Sequence, residues 1–183
     1  MNNWKLYIWR VLEGIGIIAA IFGLVLQYQS LQEQKILGAW QLITTKAGGN
    51  ASKIQALEFL NSKGVPLVGV DLSIEFLVNV NLQNAYLWKT IFRGARLDYA
   101  NFTNADLQNA DFSFAHLHRV SFTDANLTDA IFAEAHDIDI TKFDGAWVRE
   151  DYPTLPTPPK GYEFVLSKTP PKDGKIFIEL IKK

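Results

Sequence analysis

The sequence predicts an all-β repeat solenoid around which the rest of the chain is organised. Residues 65–134 divide into fourteen consecutive blocks of five with no insertion, and the middle residue of every block is Leu or Phe. The residue two positions earlier is small or β-branched in nearly every block, and the other three are mostly polar. A period of five matches neither the period of a strand nor that of a helix. We therefore expect each block to form one short side of a coil and then to turn.

The blocks also carry a recognisable pattern. ANFTN at 100–104, ADLQN at 105–109 and ANLTD at 125–129 follow the form A(D/N)LXX, and the array resembles the pentapeptide-repeat family. That resemblance implies a right-handed quadrilateral β-helix with four blocks per coil, and therefore about four coils over residues 65–149. It also suggests a bacterial, cyanobacterial-like protein that acts by binding.

Four blocks per coil would place like residues in columns through the interior. Phe92, Phe112 and Phe132 would form one column, with Phe102 and Phe122 opposite, and leucines would occupy the other two sides. Alternation of larger and smaller residues around a coil satisfies the close packing of protein interiors. We therefore predict a filled core with no room for a substrate.

Residues 14–32 carry no formal charge, and 14–26 are wholly apolar. A helix that spans a bilayer needs roughly 20 predominantly apolar residues. The run therefore predicts a transmembrane helix over 14–32 and a single-pass protein of a bacterial inner or thylakoid membrane. Two alternatives are a cleaved signal peptide, although no small-residue cleavage site follows the run, and a buried core helix.

The segment 1–13 has the composition of a membrane–water interface. Its candidate interface residues are Trp4, Tyr7, Trp9 and Arg10. The basic residues before the apolar run slightly outweigh those after it, which favours a non-cytoplasmic location for the repeats.

Both ends of the array carry candidate covers. Residues 33–64 are predicted to form juxtamembrane and capping helices, the second from Lys53 to Ser62 and ended by Gly64. Residues 150–183 are predicted to form a proline-rich linker and a β-hairpin that turns at Asp173-Gly174. The hairpin would cover the C-terminal open edge of the solenoid or, alternatively, mediate dimerisation.

Two positions break the pattern. Glu75 stands where an Ala or Val is expected, which suggests a strained or outward-turned first coil. One extra residue enters at 135–137, after which Ile138, Phe143 and Val148 resume the period out of phase. We interpret the extra residue as a bulge.

Charge and composition exclude several classes of function. Residues 65–148 hold five basic and eleven acidic side chains, a net charge of −6, which argues against direct binding of nucleic acid. The chain has no cysteine, so disulfides and thiolate chemistry are excluded. His116 and His118 form a His-x-His pair without an evident third ligand, and we interpret them as surface residues and not as a zinc site. No nucleophile–base or phosphate-loop motif appears, so we expect neither an enzyme nor a cofactor.

Large aromatic residues occupy positions of the array that should face outward. They are Tyr86, Trp88, Tyr99 and Phe114. Exposed aromatics can mark a partner surface. The alternative is that the helix at 27–45 or the C-terminal tail covers them.

These observations favour a membrane-anchored, non-enzymatic interaction scaffold or accessory subunit of a membrane complex. Its partners would be an unknown membrane-associated protein, bound through the outer faces of the array, and the lipid bilayer, contacted through residues 14–32. One alternative is a DNA-mimicking regulator of an enzyme such as gyrase, since some members of the family resemble a DNA rod. Another is an oligomerising membrane effector.

Overall fold

The computed structural model describes most of the chain and contains two compact units. The first unit ends at Trp40 and the second begins at Gln41, and each is described by itself. The side chains of residues 3–18 and of Asn50 lie outside the description. The described residues are 3–45, 50–138, 141–151, 154–168 and 172–183.

Helix α1 runs over Asn3–Thr44. Within the part of the chain that the structure describes, no helix combines the length and apolar character needed to cross a bilayer. The predicted transmembrane helix over 14–32 and the single-pass membrane location are therefore wrong. The strictly apolar run 14–26 would rise only about 20 Å, whereas a bilayer core measures roughly 30 Å. The side chains of four predicted interface residues fall outside the described part of α1: Trp4, Tyr7, Trp9 and Arg10.

Helix α2 spans Asn50–Ser62 and covers the N-terminal end of the array, as predicted. Its C-terminus is closed by two hydrogen bonds, from Val65 N to Leu60 O and from Gly64 N to Asn61 O, with φ +66° at Gly64. This is the Schellman arrangement that glycine favours. The helix buries Leu57 and Leu60 completely.

The array is a solenoid in which each five-residue block forms one rung. Each rung pairs in parallel with the rung about 20 residues later. These pairings form four ladders, which define four sides. Side 1 contains residues 71, 91, 111 and 131; side 2 contains 76, 96, 116 and 136; side 3 contains 81, 101, 121 and 142; and side 4 contains 86, 106, 126 and 147. Each pairing is a bridge between single residues, because the chain turns again after every block.

Each block ends in a tight turn, and we call its last residue a corner residue. At the corner residue Asn104, φ is +58°, and Ala105 N donates to Phe102 O across 3.0 Å. A positive φ at the third residue of such a turn defines type II, which favours Gly or Asn there. The polar block ends therefore follow from the backbone that the turn requires.

The predicted phenylalanine columns are confirmed. Phe92 stacks on Phe112, and Phe112 on Phe132, with centroids 5.0 and 5.1 Å apart, while Phe102 stacks on Phe122 at 5.4 Å. The two columns meet edge to face at 5.2–5.8 Å. The rings are fully buried and fill the bore. Edge-to-face and offset contacts add to the hydrophobic stabilisation of the core.

The predicted insertion is confirmed as well. Below His136, the pairings lengthen by one residue, to Ser121 with Lys142 and Asn126 with Trp147. The columns continue past it, since Phe143 stacks on Phe122 at 5.3 Å.

The C-terminal end is covered by a three-stranded antiparallel sheet. Its strands are β1 (Trp147–Arg149), β2 (Tyr162–Leu166) and β3 (Lys175–Lys182), in the order β1-β3-β2. Strands β2 and β3 form the predicted hairpin. Phe164 of β2 contacts Phe132 at 5.6 Å and Phe143 at 5.4 Å. The hairpin thus closes the end of the phenylalanine columns with a further ring.

Glu75 does not distort the first coil. Its neighbour Ile74 has the same φ, +63°, as the regular corner Asn79, and Arg96 N donates to Glu75 O at 2.9 Å. The ladder of the first coil is therefore regular at Glu75, although the β-branched Ile74 before it adopts a left-handed conformation. Glu75 Oε1 instead accepts a hydrogen bond of 2.5 Å from Lys53 Nζ of α2, whose side chain is almost fully buried. An ion pair thus joins the capping helix to the array.

Candidate interaction site

The outward residues of side 4 form two columns that flank its leucines. One column contains Pro66, Tyr86, Asp106 and Asn126, and the other contains Val68, Trp88, Gln108 and Thr128. The ladder fixes their register, because Leu67 N donates to Tyr86 O and Gly69 N to Trp88 O, at 2.8 and 2.9 Å. Tyr86 and Trp88 therefore stand side by side on one rung, below Pro66 and Val68.

These residues line a groove on side 4 of about 490 Å³, together with Asp106, Gln108 and Arg149. Its first two rungs are apolar and accessible, with Val68 45%, Tyr86 57% and Trp88 41% exposed. Neighbouring large apolar side chains on a surface are typical of protein-binding sites. The arrangement can accept an apolar side chain from a partner.

The other end of the groove is polar and held in place by hydrogen bonds. Asp106 Oδ1 accepts from Asn126 Nδ2 at 2.9 Å. Asn126 Oδ1 in turn accepts from the buried hydroxyl of Thr128 at 2.7 Å. This network fixes the Asp106 carboxylate beside the apolar end of the groove, whose four residues Pro66, Val68, Tyr86 and Trp88 we call its floor.

Arg149 closes the groove and is oriented by Asp151. Its Nε and Nη2 donate to the two carboxylate oxygens of Asp151 at 2.9 and 2.5 Å. The hydrogen bond to Asp151, reinforced by its charge, raises the pKa of Arg149. The hydrogen bond from Arg149 lowers the pKa of Asp151. Such two-point pairing restricts the guanidinium to one orientation.

Lys89 places a cation on the edge of the groove. Its Nζ lies 4.5 Å from the centroid of the Trp88 ring. This distance is within the range of a cation–π contact. The contact restrains the indole of Trp88, and the ammonium of Lys89 lies against one face of its ring.

The four candidate aromatics do not form one surface. Tyr86 and Trp88 share the groove, whereas Tyr99 is a corner residue between sides 2 and 3, and Phe114 is a corner residue between sides 1 and 2. All four are exposed. Sequence reasoning missed Pro66 and Val68, which a register of 20 residues would have placed directly above Tyr86 and Trp88.

The histidines all lie on side 2. His116 stacks on His136 with centroids 4.8 Å apart, and His118 meets Tyr99 edge to face at 5.3 Å. Among the residues that the structure describes, no group of three or more His, Cys, Asp or Glu is arranged to hold a metal ion.

Comparisons with known proteins agree with the repeat pattern. A family model for pentapeptide repeats matches eight copies over residues 77–113 and 105–136. A search of curated proteins found no match.

Three solved structures are among those similar to this chain. The first is a pentapeptide repeat protein from the thylakoid lumen of Arabidopsis thaliana, with 34% identity, a TM-score of 0.34 and coverage of 44% of this chain and 59% of that one. The second, from the cyanobacterium Cyanothece 51142, has 24% identity, a TM-score of 0.25 and coverage of 50% and 65%. The third is HetL from the cyanobacterium Nostoc sp. strain PCC 7120, involved in heterocyst differentiation regulation, with 24% identity, a TM-score of 0.17 and coverage of 42% and 37%. The chain therefore spans less than two thirds of each of these proteins.

Proposed function

We propose that this chain, which belongs to the pentapeptide-repeat family through residues 77–136, is a non-enzymatic interaction module that binds a partner protein through the groove on side 4. We further propose that its solenoid has the right-handed quadrilateral β-helix geometry of that family. The partner would insert an apolar side chain between Tyr86, Trp88 and Val68. Its polar groups would meet Asp106 and Arg149.

The observation that carries this proposal is the exposed apolar floor of the groove. Trp and Tyr are the residues most enriched at the energetic centres of protein interfaces, where they fill or form desolvated pockets. The four floor residues come from two adjacent rungs of a ladder held by backbone hydrogen bonds. A preformed site of this kind loses little conformational entropy on binding.

Binding, in preference to catalysis, is favoured by the interior of the array. The phenylalanine and leucine columns fill the bore with fully buried side chains. The chemistry of the protein is therefore confined to its outer sides. An interaction role fits a rigid support whose sides present short rows of side chains.

Mimicry of DNA is the weaker alternative. A mimic of a duplex would present rows of negative charge along its sides, whereas Arg96 and His116 interrupt side 2, and the ladder of side 3 contains Asn81, Asn101, Ser121 and the cation Lys142. The acidic excess of the array is spread over separate positions.

The test is a matched pair of variants of the full chain. Tyr86→Ala/Trp88→Ala removes the aromatic floor, and Gln83→Ala/Thr103→Ala removes two outward polar side chains from side 3. Each protein, immobilised, would be exposed to an extract of the organism that makes it, and the retained proteins identified and then purified. We expect a discrete protein that the wild type and the side 3 variant retain, with binding to the groove variant weakened by about tenfold or more in calorimetry.

All four positions are outward-facing, so the variants should unfold at nearly the wild-type temperature. A partner that binds the groove variant as tightly as the wild type would overturn the proposal. So would a substrate turned over by the purified chain.

A further inference from the structure

Side 2 has a different character from the rest of the array. Residues 65–148 are acidic overall, with a net charge of −6 from five basic and eleven acidic residues, yet the three arginines within this range all lie on or beside this side. Arg96 lies in the side 2 ladder, Arg119 is the corner residue that follows, and Arg93 stands next to the corner that precedes it. All three histidines of the chain share the side.

Each of these arginines lies over an exposed aromatic ring. The guanidinium carbon lies 5.1 Å from the centroid of Phe114 for Arg93, 5.1 Å from that of Phe76 for Arg96, and 6.0 Å from that of Tyr99 for Arg119. The three rings are about half exposed. We call the six residues and the three histidines the side 2 face.

Five corner residues on the borders of the side 2 face are conformationally unfavourable, whereas Gly94 and Asn79 on the same borders suit their left-handed backbone. Their positive φ suits Gly, Asn or Asp, but bulky or charged residues stand there. These are Ile74, Phe114 and Glu134 on one border and Tyr99 and Arg119 on the other. On the remaining two corners of the array, Lys89 is the single described residue that is not Gly, Asn or Asp. Ile74 is 79% exposed, so its burial does not offset the strain.

Local backbone strain concentrates at binding and catalytic sites, where the side chain is needed for a reason other than stability. Here the strained positions hold the ring of Phe114, the ring of Tyr99 and the guanidinium of Arg119. Stability alone would favour Asn at each of them. The borders of side 2 thus carry residues that the fold does not require.

We propose that the side 2 face is a second binding surface, which takes a short acidic segment of a partner protein. The arginines would pair with its carboxylates, since guanidinium matches carboxylate in a two-point geometry. The aromatic rings would contact the apolar parts of the segment. Rungs about 4.8 Å apart over three coils give a surface roughly 15 Å long, which matches four or five extended residues.

Charge decides between a peptide and a nucleic acid. Three arginines supply few phosphate contacts, whereas a protein that binds duplex DNA neutralises about 6–10 phosphates. The acidic residues of the other sides, together with Asp98 and Glu134 at side 2 itself, would also repel a long polyanion. Two arginines already have a nearby carboxylate of the array, Asp98 Oδ2 at 3.4 Å from Arg96 Nε and Asp111 Oδ2 at 3.8 Å from Arg93 Nη1, and a partner's carboxylate would share these guanidinium groups.

The test measures binding of fluorescein-labelled hexaglutamate to the full chain by fluorescence anisotropy at low ionic strength. Hexaserine and hexathymidylate with the same label serve as comparison probes. The decisive variant is Arg93→Gln/Arg96→Gln/Arg119→Gln. Its matched control, with the same change of net charge, is Lys142→Gln/Lys160→Gln/Lys168→Gln, which neutralises exposed lysines away from side 2.

We expect saturable binding of hexaglutamate, weakened about tenfold or more in the arginine variant and less than about threefold in the lysine control. Tyr99→Asn/Phe114→Asn should also weaken it, although it relieves strain at both corners. The groove variant Tyr86→Ala/Trp88→Ala should bind like the wild type, so this surface and the groove on side 4 can fail separately.

Three results would overturn the proposal. One is the absence of saturable hexaglutamate binding below about 1 mM. Another is an equal loss in the arginine variant and the lysine control, since net charge would then explain the binding. The third is tighter binding of hexathymidylate that the arginine substitutions abolish, which would assign the face to nucleic acid.

Discussion

Sides 2 and 3 of the solenoid are built on the same backbone but present opposite kinds of surface. On side 3 the outward polar residues bond to one another, with Asn101 Nδ2 donating to Asn81 Oδ1 at 3.2 Å and the hydroxyls of Thr103 and Ser121 at 3.2 Å. Its far corner carries Asn84, Asn104, Asp124 and Gly145. On side 2, arginines lie over exposed rings, and both borders are strained.

The difference shows how the repeat separates stability from binding. Inward residues and turn geometry are shared by both sides, so they determine the backbone. Outward positions have no common requirement, and side 3 satisfies its polar groups internally while side 2 leaves cations and rings accessible. Substitutions should therefore be costly inward and nearly neutral outward, and the corners should respond in opposite directions on the two sides.

The largest effect should come from the interior of side 3. Phe102→Ala removes a fully buried ring that contacts three other phenylalanines, and we expect the free energy of unfolding to fall by about 3–5 kcal/mol. Phe114→Ala, at the exposed corner of side 2, should change it by less than about 0.5 kcal/mol. Urea denaturation of both variants makes the comparison, and equal losses would contradict the division between inward and outward residues.

The next effect compares a buried and an exposed ion pair near side 2. Glu75→Ala leaves the buried ammonium of Lys53 without its carboxylate. We expect the free energy of unfolding to fall by about 2–3 kcal/mol, which is less than for a fully buried pair because Glu75 is partly exposed. Glu75→Ala/Lys53→Met should recover most of it. Breaking the outward pair Arg96–Asp98 by Arg96→Gln should cost no more than about 0.5 kcal/mol. If Glu75→Ala proved as mild as Arg96→Gln in the same denaturation experiment, the pair would not secure the cap.

A pair of corner substitutions should have opposite signs. Tyr99→Asn on the border of side 2 relieves a left-handed conformation and should stabilise the protein by about 1 kcal/mol. Asn104→Tyr on the far corner of side 3 introduces the same conflict and should destabilise it by about 1 kcal/mol. Thermal unfolding measures both, and a loss of stability in Tyr99→Asn would show that the ring contributes more than its strain costs.

The smallest effect belongs to the exposed pair Arg149–Asp151, in contrast with the buried pair at the cap. The hydrogen bond from Arg149 lowers the pKa of Asp151. The stabilisation by this ion pair is therefore fully present above the ordinary aspartate pKa of about 3.9, and it is lost as pH falls through the lowered pKa. Carboxyl NMR titration should show a midpoint below the ordinary value in the wild type and a return toward it in Arg149→Gln. An unchanged midpoint would mean that the pair does not persist in solution.

Most of the interior could be predicted from the sequence. A strict period of five with alternating Leu and Phe allows only one arrangement of columns once four blocks make a coil, and the rings of Phe92, Phe112 and Phe132 stack accordingly. The bulge after His136 was visible as a change of phase. The apolar face of α2 and the turn at Asp173-Gly174 indicated the two covers.

The candidate site was predicted only in part. Outward orientation of Tyr86, Trp88, Tyr99 and Phe114 follows from the period, but a partner surface also needs neighbours, and these come from other coils. Local pattern could not reveal that Glu75 would pair with Lys53, because that contact joins a repeat to a helix outside it. Apolar composition alone also led to the wrong prediction of a membrane span at residues 14–32. A run of thirteen apolar residues is compatible either with a short span or with a helix that does not cross a membrane.

The sequence by itself therefore determined the solenoid, its filled bore and its turns. Each block repeats the same local pattern, an apolar residue that points inward followed by a corner residue that adopts a left-handed conformation. Only the tertiary structure decided which outward residues share a side. Stacking at intervals of 20 residues, and of 21 below the bulge, brings together Tyr86 with Val68 and Arg96 with Phe76, although they are distant in sequence. The physical reason is that parallel ladders transmit register between coils, and register, unlike periodicity, is a property of the folded backbone.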